Sequence, residues 1–586
     1  MRNIVVLLLS CYGAFGLAHS QKPNVLFIVV DDLRPAIGCY GYNKVLTPNI
    51  DQLAARSIRF TQAHTQQAVC APSRTSFLTG RRPDSTRVFA FHPYYWRDAV
   101  GNFTTLPQHF KENGYHTHSI GKIFHHGRPS NNTDDYPYSW SQLPYRPSTM
   151  DYKMKKVCPG PGGNKYMNLL CAVDVSTQPE ETLPDIQNAE HAVEFLKTRA
   201  TMQDSEPFFL GLGLYKPHVP FKFPKRYLDL YPLSDIDPAP NPHLPPGLPP
   251  VAWNPFTAMR VRDDIARYNI SFPWGPVPDD LALKIRQHYY ASTTYMDYYL
   301  GQVLSALDKY GFSNNTIITF MGDHGWSLGE HQEWSKFSLF EISTRVPMMI
   351  YVPQLTHSPT ALPLFTHIDP FISRRNSVWK NGSTLKFHAG LVSDAMVELV
   401  DIFPTLADLA GLKVPPICPE NPYMVDLCTE GSSLVPLLEE KVNGVGGISQ
   451  FRWKNATFSQ YPRPSDMPQE DSDKPYLKHI KIMGYSITTS CCRYTEWVGY
   501  NPKTFTINWH DVHARELYLH ETDSLEDENL ADNPNYKELV EKFSFSLKLG
   551  WRAALPNVVA VNLANMNDHA FILSLFCVMI CKVLDI

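Results

Sequence analysis

The sequence predicts an α/β fold: a mainly parallel sheet flanked by helices, followed by a smaller C-terminal α+β domain containing an antiparallel sheet. Three observations predict it. Short apolar runs rich in β-branched residues alternate with helix-length segments through the first two-thirds of the chain. The runs are continuous, as suits strands covered on both faces. After about Gly431 the pattern changes to neighbouring strands that pair.

Val25–Val30 is the first strand. Thr47-Pro48 supplies an N-cap and a first-turn proline for a helix through about Arg56. Further strands are expected at Thr117–Ile120, Phe208–Leu214, Thr316–Phe320 and Pro347–Val352. Long helices are expected over Leu281–Lys309, closed by Gly311, and Val397–Ala410, closed by Gly411. Pro217–Pro278 is proline-rich. Within it, Asp237–Pro250 reads as a long ordered loop, with a disordered linker as the alternative. Ile482–Thr488 and Arg493–Val498 form a strand pair, and Glu516–Leu519 adds another strand. The expected division is a leader at 1–20, a large domain at 21–430, a smaller one at 431–543 and an atypical apolar tail at 544–586.

A net charge of −4 and the lack of a long basic run exclude a nucleic-acid partner. Arg2, the apolar run Ile4–Leu9 and Ala18-His19-Ser20 form a secretory signal cleaved before Gln21. Ala570–Cys581 is shorter than the ~20 residues of a membrane span. Lys582 and Asp585 oppose a lipid-anchor signal, so no stable membrane insertion is expected. Sequons at Asn102, Asn131, Asn269, Asn314, Asn381 and Asn455 agree with a secretory route, to the lysosome or the exterior. Of 11 cysteines, Cys158 with Cys171, and Cys418 with Cys428, are spaced to close local disulfide loops. Cys491-Cys492 reads as two separate thiols rather than a strained bridge, and Cys39 as a buried thiol.

Sites in open α/β sheets form beyond the carboxyl ends of strands. Asp31-Asp32, Lys122 and His125, His218, and Asp323-His324 all follow expected strands. Asp31, Asp32 and Asp323 are a hard-oxygen set suited to Ca²⁺ or Mg²⁺. One such aspartate alone would more often be a helix cap or a loop turn.

Cys70 opens C-A-P-S-R-T-S-F-L-T-G-R, which resembles the signature of the sulfatase family. The resemblance runs from about Pro23 to about Leu530. It includes D-D-L-R-P from Asp31, G-K-I-F-H from Gly121, Y-K-P-H-V-P-F from Tyr215, D-H-G-W-S-L-G-E-H from Asp323 and Y-P-R-P-S-D from Tyr461. It implies an alkaline-phosphatase-like fold and conversion of Cys70 to formylglycine by a formylglycine-generating enzyme. The aldehyde hydrates to a geminal diol. One hydroxyl attacks sulfur to form a covalent sulfo-enzyme, and the other then drives elimination of sulfate.

The family further implies a Ca²⁺ site formed by Asp31, Asp32, Asp323, His324 and the modified Cys70. Arg74 would hold the diol or a metal ligand, Lys122 and Lys336 would bind sulfate oxygens, His125 would act on the diol proton, and His218 would be the general acid. His324 replaces the asparagine of many sulfatases, and the branch acting on iduronate shares it. That branch implies removal of the 2-O-sulfate from terminal iduronate in the glycosaminoglycans heparan sulfate and dermatan sulfate. Arg463 and Lys474 are then the candidates to bind the sugar carboxylate, with a loop brace as the alternative for Arg463. Rival readings are another sulfated sugar or an aryl sulfate as substrate, a phosphonate hydrolase, and a non-catalytic Ca²⁺-dependent glycan binder.

Overall fold

A computed structural model describes residues 22–91, 94–202, 206–357, 363–375, 390–443 and 451–558. The expected leader, Asn381 and the Ala570–Cys581 run lie outside them.

The main sheet has seven strands: β1 (Asn24–Val30), β2 (Ile58–His64), β3 (His116–Gly121), β4 (Phe208–Leu214), β5 (Thr316–Gly322), β6 (Arg345–Tyr351) and β7 (Leu391–Glu398). Their spatial order is β7-β2-β6-β5-β1-β4-β3. β6 runs antiparallel to both neighbours, and the other four pairings are parallel. The sheet is therefore mostly parallel, as expected.

Strand β1 explains why the sheet is covered twice. Val25, Phe27 and Val29 pack on one face with Phe77 and Phe403. Leu26, Ile28 and Val30 pack on the other with Ala189, Met296 and Leu300. The helices on this second face are α1 (Pro48–Ala54), α3 (Pro184–Thr201) and α4 (Asp279–Lys309). The opposite face carries α2 (Cys70–Thr79) and α5 (Ile402–Leu409). Each fully buried large apolar side chain contributes about 1.5–3 kcal/mol, so this two-sided core holds the strand ends in place.

Three local expectations need correction. Thr47 does not cap α1, because its hydroxyl accepts from the Gly38 amide at 3.0 Å. Asp297 of α4 accepts instead from the amides of Asn49 and Ile50, at 3.2 and 2.8 Å. The helix over Val397–Ala410 starts later: β7 continues through Glu398, pairing Val397 with Ala63, and α5 begins at Ile402. The last main-sheet strand expected before it, Pro347–Val352, is shifted to Arg345–Tyr351. Asp237–Pro250 has no regular element apart from a short turn at its end, and follows an irregular course against the main body.

The C-terminal sheet is antiparallel and consecutive: β8 (Ala456–Arg463), β9 (Ile482–Thr489), β10 (Cys492–Asn501) and β11 (Thr506–Leu519). Helix α6 (Lys537–Leu549) packs Phe543 and Leu547 against Tyr494 and Ile487 of this sheet. Cys158–Cys171 and Cys418–Cys428 are disulfides. The Cys491 and Cys492 sulfurs stand 3.4 Å apart and are not bonded to each other, and Cys39 is half-buried. Asn102, Asn131, Asn269 and Asn314 are exposed, while Asn455 is half-buried. Among the described residues no helix is long and apolar enough to cross a membrane.

Candidate active site

The register brings four strand ends level. Val30 pairs with Leu214 on one side and Gly322 on the other, and Gly121 pairs with Gly213. Asp31-Asp32, Lys122, His218 and Asp323-His324 therefore leave the sheet at one edge. Gly213 permits the close crossing: a Cβ there would lie 2.1 Å from the Lys122 carbonyl oxygen. Cys70, fully buried, is the first residue of α2. Asp32 adopts φ +62, a left-handed conformation that non-glycine residues take only when their surroundings hold them. Its amide donates to Asp323 Oδ1 at 3.0 Å, tying the ends of β1 and β5 together.

Around Cys70 the polar groups converge. Its Sγ lies 3.4 Å from Asp31 Oδ1, 3.3 Å from His324 Nε2 and 3.0 Å from Lys336 Nζ. Arg74, on the same helix, donates to Asp323 Oδ2 at 2.9 Å, to Asp31 Oδ1 at 3.2 Å and to the carbonyls of Lys122 and Ile123. Lys122 Nζ reaches Asp31 Oδ2 at 2.6 Å, and Lys336 Nζ reaches Asp32 Oδ1 at 2.5 Å. His218 Nε2 stands 3.9 Å from both Asp31 and Asp32, while its Nδ1 faces the Val219 carbonyl at 2.6 Å.

The donor set fits a divalent cation. Ligand atoms of Asp31, Cys70, Asp323 and His324 lie within 4.8 Å of one another, and Asp31, Asp32, Cys70 and His218 form an overlapping group. Asp32 Oδ2 is buried with no hydrogen-bond partner. Burial, reinforced by Asp31 and Asp323 against Lys336, pushes the Asp32 carboxyl up to about 7. A cation among these oxygens would relieve that repulsion. His324 directs Nδ1 to the Gly325 carbonyl at 2.9 Å, so Nε2 offers its lone pair to the cluster. Burial holds the ring near 4 and hence neutral. A second grouping, Glu341 with His520 and Glu526, is instead served by Arg493, 2.7 Å from Glu526.

Other charges are set by the same forces. Burial pushes the Cys70 thiol up to about 12, with Asp31 adding to it. Burial opposes the charge on Asp31, yet His218, Lys122 and Arg74 hold it well below the usual carboxylate range. Lys336, also opposed by burial, is held above the usual amine range by Asp32.

His125 does not join the converging donors. Its ring lies 4.5 Å from that of Phe91, and Nδ1 is buried without a partner. Arg463 is not presented to a ligand: it is buried, and its guanidinium donates to the carbonyls of Val251, Ala252, Phe337, Pro462 and Ser472 at 2.7–3.4 Å. The geometry is that of the loop brace, because all three nitrogens are engaged by backbone. Lys474 differs. Its half-buried ammonium has no hydrogen bond or ion pair among the described residues and sits 5.8 Å from the Phe91 and Phe337 rings. Lys153, which the sequence did not single out, also carries an unpaired ammonium; burial and then Lys122 push it down to about 7. Only the lysine-rich run K-M-K-K could have drawn attention to it.

Comparison with known proteins agrees with this geometry. The sulfatase family model matches residues 23–412. Iduronate 2-sulfatase of Homo sapiens is 52% identical over 525 residues, 88% of this chain and 92% of that protein. The Mus musculus protein of the same name is 51% identical over 535 residues, 90% and 94% of the two chains. Among solved structures, a phosphonate monoester hydrolase of Agrobacterium radiobacter superposes with a TM-score of 0.61 at 20% identity, covering 92% of this chain and 97% of that one. A protein solved with its substrate D-glucosamine-2-N,6-O-disulfate gives 0.58 at 20% identity, covering 90% and 99%. At that identity the two structures speak for the fold alone.

Proposed function

The chain belongs to the sulfatase family of sulfuric ester hydrolases, and from that premise we propose that it removes the 2-O-sulfate of terminal iduronate in heparan and dermatan sulfate. The observation that carries the reading is identity above 50% to two iduronate 2-sulfatases across most of both chains, with no gap in the cluster around Cys70. The two disulfides favour a secretory destination, the lysosome included.

In this reading Cys70 is oxidised to formylglycine by a formylglycine-generating enzyme, and its Sγ marks where the reactive oxygens stand. Hydrated, that group supplies one hydroxyl to take the sulfur and a second to release sulfate. A Ca²⁺ ion held by Asp31, Asp32, Asp323 and His324 would supply charge that polarises the ester. Arg74 keeps Asp31 and Asp323 in place. Lys122 and Lys336 turn from the aspartates toward sulfate oxygens and stabilise charge developing there. His218 protonates the leaving oxygen through Nε2 as an imidazolium, with Nδ1–H donating to the Val219 carbonyl; burial pushes the ring below the usual imidazole range, and Asp31 together with the negative charge of a bound sulfate ester favours the charged form. His125, tilted against Phe91 and kept neutral by burial, would have to turn its ring toward residue 70 to take the diol proton. Lys474, unpaired beside Lys336, binds the uronate carboxylate, and Arg463 holds the loops that carry them both.

The test is sulfate release from terminal 2-sulfated iduronate against terminal 6-sulfated glucosamine. Preference for the first is expected. Preference for the second would defeat the uronate assignment and leave the family intact.

A further inference from the structure

Beside His218 opens a narrow cleft lined by Thr149, Met150, Lys153, Lys216 and Lys222. Its three lysines are not equivalent. Lys216 is committed to the carbonyls of His218 and Pro220. Lys153 and Lys222 have no hydrogen bond or ion pair to their ammonium groups among the described residues, although Lys222 is only 7% exposed. No acidic side chain lines the cleft. Lys153 is nonetheless held in position: it closes the turn Ser148–Tyr152, and Arg262 donates to its carbonyl at 3.2 Å. The Cys158–Cys171 disulfide fastens the segment that follows.

Half-buried and buried ammonium groups without partners are costly. Burial pushes Lys222 down to about 8, with Arg262 adding to it, as expected for a cation that lacks an anion. The cleft is thus built for negative charge that this chain does not supply. Its position identifies the source. His218 faces the leaving oxygen, and the carbon bearing that oxygen in a 2-sulfated uronate is bonded to the anomeric carbon. The glycosidic bond is thus one carbon away from the leaving oxygen that His218 faces, which puts the next sugar within reach of a cleft beside His218.

We propose that Lys153 and Lys222 form a subsite for a sulfate group on the sugar that follows the terminal uronate. The inference rests on the iduronate reading above and deepens it: the enzyme reads two residues of the chain rather than one. Lys153 and Lys222 act as specificity residues and take no part in breaking the bond. A lysine suits the task because its flexible point charge accepts an N-sulfate or an O-sulfate without demanding one orientation.

The experiment compares two disaccharides with the same terminal 2-sulfated iduronate, one on N-sulfated and one on N-acetylated glucosamine. The readout is the ratio of their kcat/KM values. The wild-type ratio should favour the sulfated substrate. Lys153→Met should lower the ratio by about tenfold, as expected for loss of a hydrogen bond to a charged group, and chiefly through KM. Lys153→Arg should restore most of it, and Lys222→Met should lower it independently. Inhibition of the unmutated enzyme by free N-sulfated against N-acetylated glucosamine gives the same comparison without a substitution. Equal inhibition by the two sugars, or an unchanged ratio in both methionine variants, would overturn the subsite while leaving the iduronate reading standing. Failure of the wild type to release sulfate from either disaccharide would overturn that reading and the subsite together.

Discussion

Glu330 connects the two strand ends that carry the acidic cluster, and replacing it with glutamine should weaken both stability and metal binding. Its carboxylate lies 2.9 Å from Arg34 and 3.4 Å from Arg286 and accepts from the Leu328 amide. Arg34 in turn donates to the Trp326 carbonyl, and its amide meets Tyr289, whose hydroxyl donates to the Asp32 carbonyl. Burial opposes the charge, but Arg34 and Arg286 overcome it and hold the Glu330 carboxyl near 2 rather than 4.5. At 1.36 kcal/mol per pH unit, that difference corresponds to about 3 kcal/mol of stability. Because the folded pKa is the lower one, this stability is fully present above pH 4.5 and is lost as pH falls toward 2. The brace therefore still holds at the acidity of a lysosome. Glu330→Gln leaves two buried arginines short of a counter-charge and should cost about 3–5 kcal/mol at neutral pH. Urea unfolding of both proteins at several pH values should show the gap narrowing between pH 4.5 and pH 2. A gap under about 1 kcal/mol at pH 7, or one independent of pH, would refute the reasoning.

Other expectations follow from the same geometry. Asp323→Asn should lower metal occupancy, measured by elemental analysis, together with turnover, because it removes a charge shared by Arg74 and the cation site; full activity in a metal-free preparation would contradict it. His218→Asn should reduce kcat by about 10²–10⁴-fold on sugar sulfates. Aryl sulfates with acidic leaving groups should lose much less, and equal losses on both classes would remove the general-acid role. Lys474→Met should weaken selection for a uronate over an uncharged sulfated sugar, seen as a higher KM for the uronate alone.

Much of the site was legible because strands covered on both faces announce themselves. Val25–Val30 and Phe208–Leu214 are unbroken apolar runs, so the polar residues after them stand out. Strand β2 was not legible: Arg59, Thr61 and Gln62 interrupt its apolar pattern and are only half-buried. The end of strand β7, Val397-Glu398, reads as the start of the helix beyond it because Val397, Leu399 and Val400 are apolar in either conformation, and only pairing with β2 decides. The α1 cap was misplaced for a related reason, since its acceptor, Asp297, is nearly 250 residues away. Y-P-R-P conveys an arginine but not the five carbonyls around it. Lys153 lies in an irregular loop where neither helical nor strand periodicity applies, and only the folded chain shows it beside His218.

Turnover depends most directly on the chemical state of residue 70, and mass spectrometry of the tryptic peptide Phe60–Arg74 measures it. Active protein should carry an aldehyde in place of the Cys70 thiol, and turnover across preparations should rise in proportion to the aldehyde fraction. Fully active protein with an unaltered cysteine at position 70 would contradict the account.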